Sequence, residues 1–257
     1  MPVTLLTFAV IAGMVPVSAQ DYHFTREIAP GGRVEIETIN GAIEVSHATG
    51  PSAEVTVTKT VKRGDGSLVK AIMEEKGGGM IVCTIFLNSE PNRRSCKGNN
   101  NDSHGSHDGK SLEVEMHYIV KVPTGAQLTV DDVNGTITVT GADVHSKIST
   151  VNGDIIFDGV GASSLETVNG KIIGTLSRAS WEGSMRVQTV NGSVELTFPA
   201  GLSADVSGET VNGSVQSDFP ITIEKGWGPK SFNGRIGQGG RRLQIETVNG
   251  GITIRKR

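Results

Sequence analysis

One short motif recurs along most of the chain and limits what the chain can fold into more than any other feature. Its full form is Glu-Thr-Val/Ile-Asn-Gly, with an apolar residue two positions after the glycine, and shorter copies keep Asn-Gly. From the second pair onward successive glycines are 16 to 22 residues apart, whereas 94 residues separate the first two. Such a repeat indicates equivalent supersecondary units. The eight pairs are Asn40-Gly41, Asn134-Gly135, Asn152-Gly153, Asn169-Gly170, Asn191-Gly192, Asn212-Gly213, Asn233-Gly234 and Asn249-Gly250.

Apolar residues alternate with polar ones around each Asn-Gly pair. A valine or isoleucine nearly always precedes the pair, and apolar residues follow at alternate positions, such as Ile137 and Val139. A period of two with β-branched residues predicts strands. Asparagine and glycine tolerate positive φ best, so each copy is predicted to be strand, tight bend, strand. No stretch predicts a long helix, and the best helical candidate is the short segment 68–76.

Two β architectures fit this pattern. Asn-Gly is a strong signal for a type I′ hairpin, so the copies could form an antiparallel barrel or sandwich. Alternatively, each copy is one coil of a parallel β-solenoid with Asn-Gly at its corner. We favour the solenoid, because stacked coils bring equivalent residues together every ~4.8 Å and so explain why the flanking residues are nearly identical. In this arrangement Val190, which precedes an Asn-Gly pair, is predicted to face the core.

Several segments resemble a known family. Residues 30–36 and 40–45 look like its opening, residues 53–59 like its next strand, and residues 118–125 like the strand that re-enters the repeats. On these segments and the repeats that follow, the chain resembles the bacterial DUF4097 proteins, a family labelled adhesins and related to the GIN-domain proteins. The resemblance implies a right-handed β-helix-like fold in an exported protein, with no known catalytic residues. The polar insertion at residues 88–111 departs from the family pattern.

The expected fold is therefore all-β. It comprises a right-handed parallel β-helix or solenoid of short coils with Asn-Gly corners at residues 131–257. An N-terminal β section of the same domain, residues 20–130, carries the insertion 88–111, which we expect to be flexible. Residues 1–19 are expected to be a signal peptide, because an apolar run at 5–15 precedes small residues at Val17-x-Ala19, although no lysine or arginine comes before the run. The mature chain is expected to contain no transmembrane span.

The two cysteines agree with export. In an oxidising compartment Cys83 and Cys96 should pair and close a ring of 14 residues, which contributes roughly 3 kcal/mol in the chain-entropy model. Two unpaired thiols are the alternative. A zinc site is disfavoured, because no second pair of ligands stands at the required spacing.

Metal sites were sought among the acidic residues and histidines. His104, His107 and Asp108, with Asp102 and His117 nearby, have spacing that suits a transition metal, but a flexible segment cannot fix the geometry that a catalytic metal needs. The neighbouring carboxylates Asp131 and Asp132 lie next to a turn but lack the glutamate of an EF-hand loop. No metal ligand and no cofactor are therefore predicted.

Enzymatic signatures are also weak. Nucleophile-elbow, Walker and dinucleotide motifs are missing from the sequence. Four glutamates recur at one position of the repeat and would form a stripe of equivalent groups, whereas glycoside hydrolysis needs two carboxyls in different environments. The two tryptophans, Trp181 and Trp227, could stack on sugars, but we favour a role as plugs that cover the solenoid. The stripe comprises Glu37, Glu166, Glu209 and Glu246.

These observations lead to three functional hypotheses. The first is an exported, non-enzymatic cell-envelope protein, in the periplasm or on the cell surface, that acts as an adhesin-like scaffold for a glycan or an envelope protein. The second is a periplasmic partner of an envelope-stress signalling pathway. The third and least favoured is a polysaccharide-active β-helix enzyme. A net charge of −3 argues against nucleic-acid binding through bulk charge.

Overall fold

The fold is built from β-strands. The computed structural model describes residues 19–87, 95–96, 112–178, 181–223 and 229–257. Within them, one open sheet of 19 strands contains the regular structure, apart from a single 3-10 turn at Gly66–Leu68. The strands are β1 (Ala19–Glu27), β2 (Arg33–Glu37), β3 (Ile43–His47), β4 (Ser52–Arg63), β5 (Val69–Lys76), β6 (Gly79–Phe86), β7 (Glu113–Val122), β8 (Gln127–Asp131), β9 (Ile137–Ser149), β10 (Ile155–Glu166), β11 (Ile172–Leu176), β12 (Ser184–Asn191), β13 (Val194–Phe198), β14 (Ala204–Thr210), β15 (Val215–Ser217), β16 (Thr222–Ile223), β17 (Lys230–Ile236), β18 (Arg242–Asn249) and β19 (Ile252–Lys256).

Successive copies of the motif lie side by side in parallel register. After the Asn-Gly pair, Ile137 pairs with Ile155, which in turn pairs with Ile172. Before the pair, Leu165 pairs with Val187. These side chains point inward and are fully buried, so equivalent apolar residues stack into one continuous core. For these copies the pairing is parallel, and the antiparallel-hairpin alternative does not hold.

The order of the stack differs from the order of the sequence at the C-terminal end. Strand β12 pairs with β18, and β18 pairs with β14. On the other side of the corner β13 pairs with β19, and β19 pairs with β15. The coil that contains Asn249 therefore lies between the coils of Asn191 and Asn212.

Antiparallel strands extend the sheet at both ends of the stack. At the N-terminal end β1 pairs with β4 and β4 with β7, while β5 and β6 form a hairpin. Strands β6 and β7 pair in parallel with β2 and β3, so they continue the stack beyond the coil of Asn40. At the other end β17 runs antiparallel to β14 and β16.

Two local predictions were wrong. The helical candidate 68–76 is strand for most of its length, because β5 hydrogen-bonds to β6 across the turn at Gly77 and Gly78, and this pairing overrides its local preference. The pair Asn233-Gly234 is not a bend but lies within β17. A Cβ atom on Gly234 would lie 3.0 Å from the Cα of Ile221, so glycine is needed there for close approach to the neighbouring segment.

Some predictions fall on residues outside the described part of the chain. They concern the signal peptide up to residue 18, the insertion except residues 95–96, the histidines and aspartates within that insertion, and Trp227. In the described part, no helix has the length and hydrophobicity that a membrane crossing requires.

Candidate functional site

The repeated corner of the coil consists of four successive residues with different surroundings: a threonine, a valine or isoleucine, an asparagine and a glycine. The threonine side chain points inward and is almost fully buried, and in four coils its hydroxyl donates to the glycine carbonyl of the neighbouring coil at 2.8 to 2.9 Å. Thr167 donates to Gly153 and Thr189 to Gly170, both at 2.9 Å. The same bond joins Thr210 to Gly250 (2.8 Å) and Thr247 to Gly192 (2.9 Å). A buried hydroxyl is thus satisfied by the next coil. The Thr38 hydroxyl instead contacts the Thr84 hydroxyl, and the Thr150 hydroxyl lies 3.5 Å from both Asp132 Oδ2 and the Gly135 carbonyl oxygen.

The asparagines form a continuous ladder on the outside of the corner. Each carboxamide after that of Asn40 donates from Nδ2 to Oδ1 of the preceding asparagine in the stack, over distances of 2.7 to 2.8 Å, and Asn40 only accepts within the ladder. A primary amide has two N–H groups and an oxygen with two lone pairs, so an inner rung keeps one donor and one acceptor for other partners. In stack order this Asn ladder comprises Asn40, Asn134, Asn152, Asn169, Asn191, Asn249 and Asn212.

The glycine of each corner is required by close stacking. A Cβ atom on Gly153 would lie 1.9 Å from the carbonyl oxygen of Gly135, and one on Gly170 would lie 1.9 Å from that of Gly153. The predicted reason for this glycine, a bend with positive φ, was wrong at most corners: among the stacked glycines only Gly41 has a positive φ, 135°. The glycine instead lets adjacent backbones approach each other.

The residue between threonine and asparagine faces solvent, contrary to the prediction for Val190. Val190 is partly exposed, and Val168 and Val211 are 39% and 41% exposed, whereas Thr189 beside Val190 is buried. We call this line of exposed or half-exposed side chains the Val row. In stack order it comprises Ile39, Val133, Val151, Val168, Val190, Val248 and Val211.

The predicted stripe of glutamates lies in register on the outer face, two residues before the Val row. The pairing of β2, β8, β9, β10, β12, β18 and β14 aligns these positions, and no salt bridge to them is seen within the described residues. Burial, reinforced by Asp131, raises the pKa of Glu37. This acidic row comprises Glu37, Asp131, Ser149, Glu166, Gln188, Glu246 and Glu209.

A groove of about 540 Å³ lies at the N-terminal end of the Asn ladder. Asn40 and Asn134 line it from the ladder, and Glu113, Glu115 and His117 line it from β7. Glu115 is paired with the Lys62 ammonium group, and Nε2 of His117 lies 3.2 Å from Oε1 of Glu44. Within the described residues, no cluster of three or more histidine, cysteine, aspartate or glutamate side chains is placed to hold a metal ion. The groove therefore offers amides, carboxylates and an imidazole for hydrogen bonding.

One corner carries a carboxyl group where the others carry threonine. Asp132 is 5% exposed, and its Oδ1 has no hydrogen-bond partner in the described part of the chain. Burial raises the pKa of Asp132 to about 6, although the N–H groups of Val133 and Asn134 act in the opposite direction. Asp131 points to the outer face instead, so the two carboxylates lie on opposite sides of the strand.

Trp181 and the cysteines are structural. Trp181 is buried, packs against Phe198 with ring centroids 6.0 Å apart, and donates from Nε1 to the carbonyl oxygen of Arg242 at 3.0 Å. This position suits the plug that we favoured from sequence. A disulfide joins Cys83 to Cys96 beside the N-terminal end of the stack.

Comparison with known proteins places these features in context. A family model described as Toastrack DUF4097 matches residues 32–255, and no curated protein matches the chain. A solved "putative cell adhesion protein" from Clostridium sporogenes is 12% identical over 93% of this chain and 100% of that chain, with a TM-score of 0.45. A "putative adhesin" from Bacteroides fragilis is 8% identical over 93% and 97%, with a TM-score of 0.36. All of the Asn ladder lies inside the region that the family model matches.

Proposed function

The chain belongs to the Toastrack DUF4097 family, and on this basis we propose that it is an exported, non-enzymatic cell-envelope protein that binds an envelope glycan or protein. The binding surface is the side of the coil stack. The stack is proposed to be a right-handed solenoid with Asn-Gly corners, the hand that connections between parallel strands of one sheet normally take. The parallel pairing of successive copies supports this proposal.

The observation that carries the proposal is the regular line of corners. Seven rungs of the Asn ladder follow one another, and each has a valine or isoleucine beside it. A single corner offers little contact area, since Val168 is only 39% exposed. A linear polymer or a second repetitive surface can engage many equivalent corners at once, and such multivalent contacts give useful affinity from weak individual ones.

Export is proposed from the N-terminal segment and the disulfide. Residues 1–19 are proposed as a signal peptide, with residues 20–130 and 131–257 as the N-terminal β section and the repeats of one mature domain. The bond between Cys83 and Cys96 supports an oxidising compartment, because disulfides persist mainly outside the cytosol. The proposed location is the periplasm or the cell surface.

A non-enzymatic role is supported by the acidic row. Its carboxylates come from equivalent positions of successive coils, such as Glu246 and Glu209, which pair directly. Acid–base catalysis on a glycosidic bond needs two carboxyls whose surroundings separate their pKa values. Glu246 and Glu209 are like groups in like surroundings and do not supply such a pair, and the raised pKa of Glu37 comes from its burial and from Asp131 at the N-terminal end of the row.

An envelope pull-down tests the proposal. The protein, expressed with its own N-terminal segment and then purified, is immobilised and exposed to solubilised host envelope, and retained proteins and sugars are identified. We expect retained glycan, or several surface proteins, on the protein but not on blank resin. One protein in stoichiometric yield without sugar would favour the signalling-partner hypothesis. Retention of nothing, or release of shortened sugars, contradicts the proposal.

A further inference from the structure

The unused hydrogen-bonding groups of the Asn ladder define the kind of ligand that fits it. Inner rungs such as Asn152, Asn169 and Asn191 are exposed, and each uses one N–H and one lone pair of its carboxamide within the ladder. One donor and one acceptor per rung remain for a ligand, at intervals of ~4.8 Å along the stack. A ligand that offers amide groups in a line could satisfy both.

Apolar contact is available directly beside these amides. Val151, Val168 and Val248 precede three of the ladder asparagines in sequence, and each is 39% exposed. A small methyl group that reaches the surface next to an amide can therefore pack on a valine. An acetamido group has this combination: one N–H, one carbonyl oxygen and one methyl.

The charges around the Asn ladder and the Val row, which together we call the strip, disfavour an acidic ligand. The acidic row flanks the Val row on one side, and Glu113 lines the groove at the end of the ladder, where the charge of Glu115 is compensated by Lys62. On the other flank, Nζ of Lys171 lies 3.7 Å from Oδ2 of Asp154, so the positive charge of Lys171 is compensated. The strip itself is uncharged, and a polymer of uronic or sulfated sugars would meet repulsion from the acidic row.

From these features we infer that the Asn ladder and the Val row together bind a linear glycan with N-acetylated sugars, which lies along the stack. Its acetamido groups contact the carboxamides and valines of successive corners. One end of the glycan lies in the groove beside Asn40, whose volume of about 540 Å³ is within the range of ligand sites. This inference rests on the proposed function, since it names the ligand of the same surface.

Calorimetric titration with defined oligosaccharides tests the inference. Chitohexaose is the probe, cellohexaose is the matched sugar without acetamido groups, and hexagalacturonate is the acidic control. We expect chitohexaose to bind at least about tenfold more tightly than cellohexaose, and no binding of hexagalacturonate. Equal binding of chitohexaose and cellohexaose overturns recognition of the acetamido group.

A pair of equally exposed residues provides the matched variants. Val168→Lys places a charged side chain in the strip, and Ile156→Lys changes a residue that is also 39% exposed but lies four positions beyond Asn152 on the next strand. We expect Val168→Lys to weaken chitohexaose binding about tenfold and Ile156→Lys to leave it unchanged. Circular dichroism melts check that both variants fold. If Val168→Lys does not fold, Val248→Lys is used in its place.

The outcomes separate this inference from the proposed function. Equal effects of the Val168 and Ile156 variants overturn the strip as the site. If no oligosaccharide binds while the pull-down still retains envelope material, the N-acetylated ligand is wrong and the proposed function stands. If the pull-down also retains nothing, the proposed function itself fails.

Discussion

Asp132 occupies the corner position that threonine occupies in the other stacked coils, and its replacement by threonine tests how the corners are stabilised. Its carboxyl is buried with one oxygen unpartnered among the described residues, and its pKa rises from 3.8 to about 6. The folded protein therefore binds this proton more tightly than the unfolded chain does. Asp132→Thr removes the carboxyl and supplies a hydroxyl that can donate to the adjacent coil, as Thr167 does to Gly153.

The size and sign of the effect follow from the pKa. Because the folded state binds the proton more tightly, the contribution of Asp132 to stability falls as the pH rises from about 4 to about 6. Above that range, ionised Asp132 costs about 3 kcal/mol, since each pH unit between the two pKa values contributes about 1.4 kcal/mol. Below about pH 4 the group is protonated in both states, so this cost is absent.

Urea unfolding followed by circular dichroism at several pH values between about 4 and 7.5 measures the free energy of unfolding of wild type and Asp132→Thr. We expect Asp132→Thr to be more stable than wild type by about 3 kcal/mol at the highest pH, and the difference to shrink as the pH falls. Asp131→Thr is the control: it leaves Asp132 intact and so keeps the contribution of Asp132 to the pH dependence, changing that dependence only through Glu37, whose raised pKa Asp131 reinforces. A difference between wild type and Asp132→Thr that stays constant across this pH range, or grows towards acid, would refute the reasoning.

Three further predictions concern the stack. Gly170→Ala should destabilise the protein by about 1–3 kcal/mol in urea unfolding, because its Cβ would lie 1.9 Å from a carbonyl oxygen, whereas Gly201→Ala, with open space around it, should be neutral. Val187→Asp should abolish cooperative thermal unfolding, because the Val187 side chain is fully buried, while Val190→Asp should retain it. If both variants lose cooperative unfolding, Val190 faces the core. Replacing both cysteines by alanine should cost roughly 3 kcal/mol, and an unchanged melting temperature would show that the ring adds no stability.

The strands and their parallel stacking could be predicted from the sequence because both depend on a local pattern. Alternating apolar residues around Ile137 and Ile155 specify which side of each strand is buried. The near-identity of the flanks favours stacking of like on like, which the register of β9, β10 and β11 displays. Each of these inferences uses residues within a single copy or a comparison of two copies.

The corner could not be predicted, because its side chains depend on the neighbouring coil. Apolarity alone placed Val190 inside, but the hydroxyl of Thr189 is satisfied by the carbonyl of Gly170, and this allows the threonine to be buried instead. The position of Asn249 between Asn191 and Asn212 could not be predicted either, because the copies carry the same corner residues. Likewise, the Asn-Gly motif does not reveal that Asn233 pairs within an antiparallel strand.

The position of the coil of Asn249 governs how the stack can be assembled during synthesis. The coil of Asn212 is synthesised before its neighbour in the folded stack, because Asn249, which contacts Asn212 in the ladder, lies 37 residues later in the sequence. Repeat proteins whose units touch only their sequence neighbours can grow one unit at a time. Here the contact between Asn191 and Asn249 closes a loop of 58 residues, and such long-range closures slow folding.

Until β18 and β19 arrive, the coil formed by β12 and β13 presents a bare sheet edge. An unpaired edge is a template for strands of other molecules. The nascent protein is therefore most prone to aggregate before the coil formed by β18 and β19 inserts, at a stage when most of its repeats have already been synthesised. A chaperone that shields this edge, or rapid delivery of the last strands, would determine the yield of folded protein.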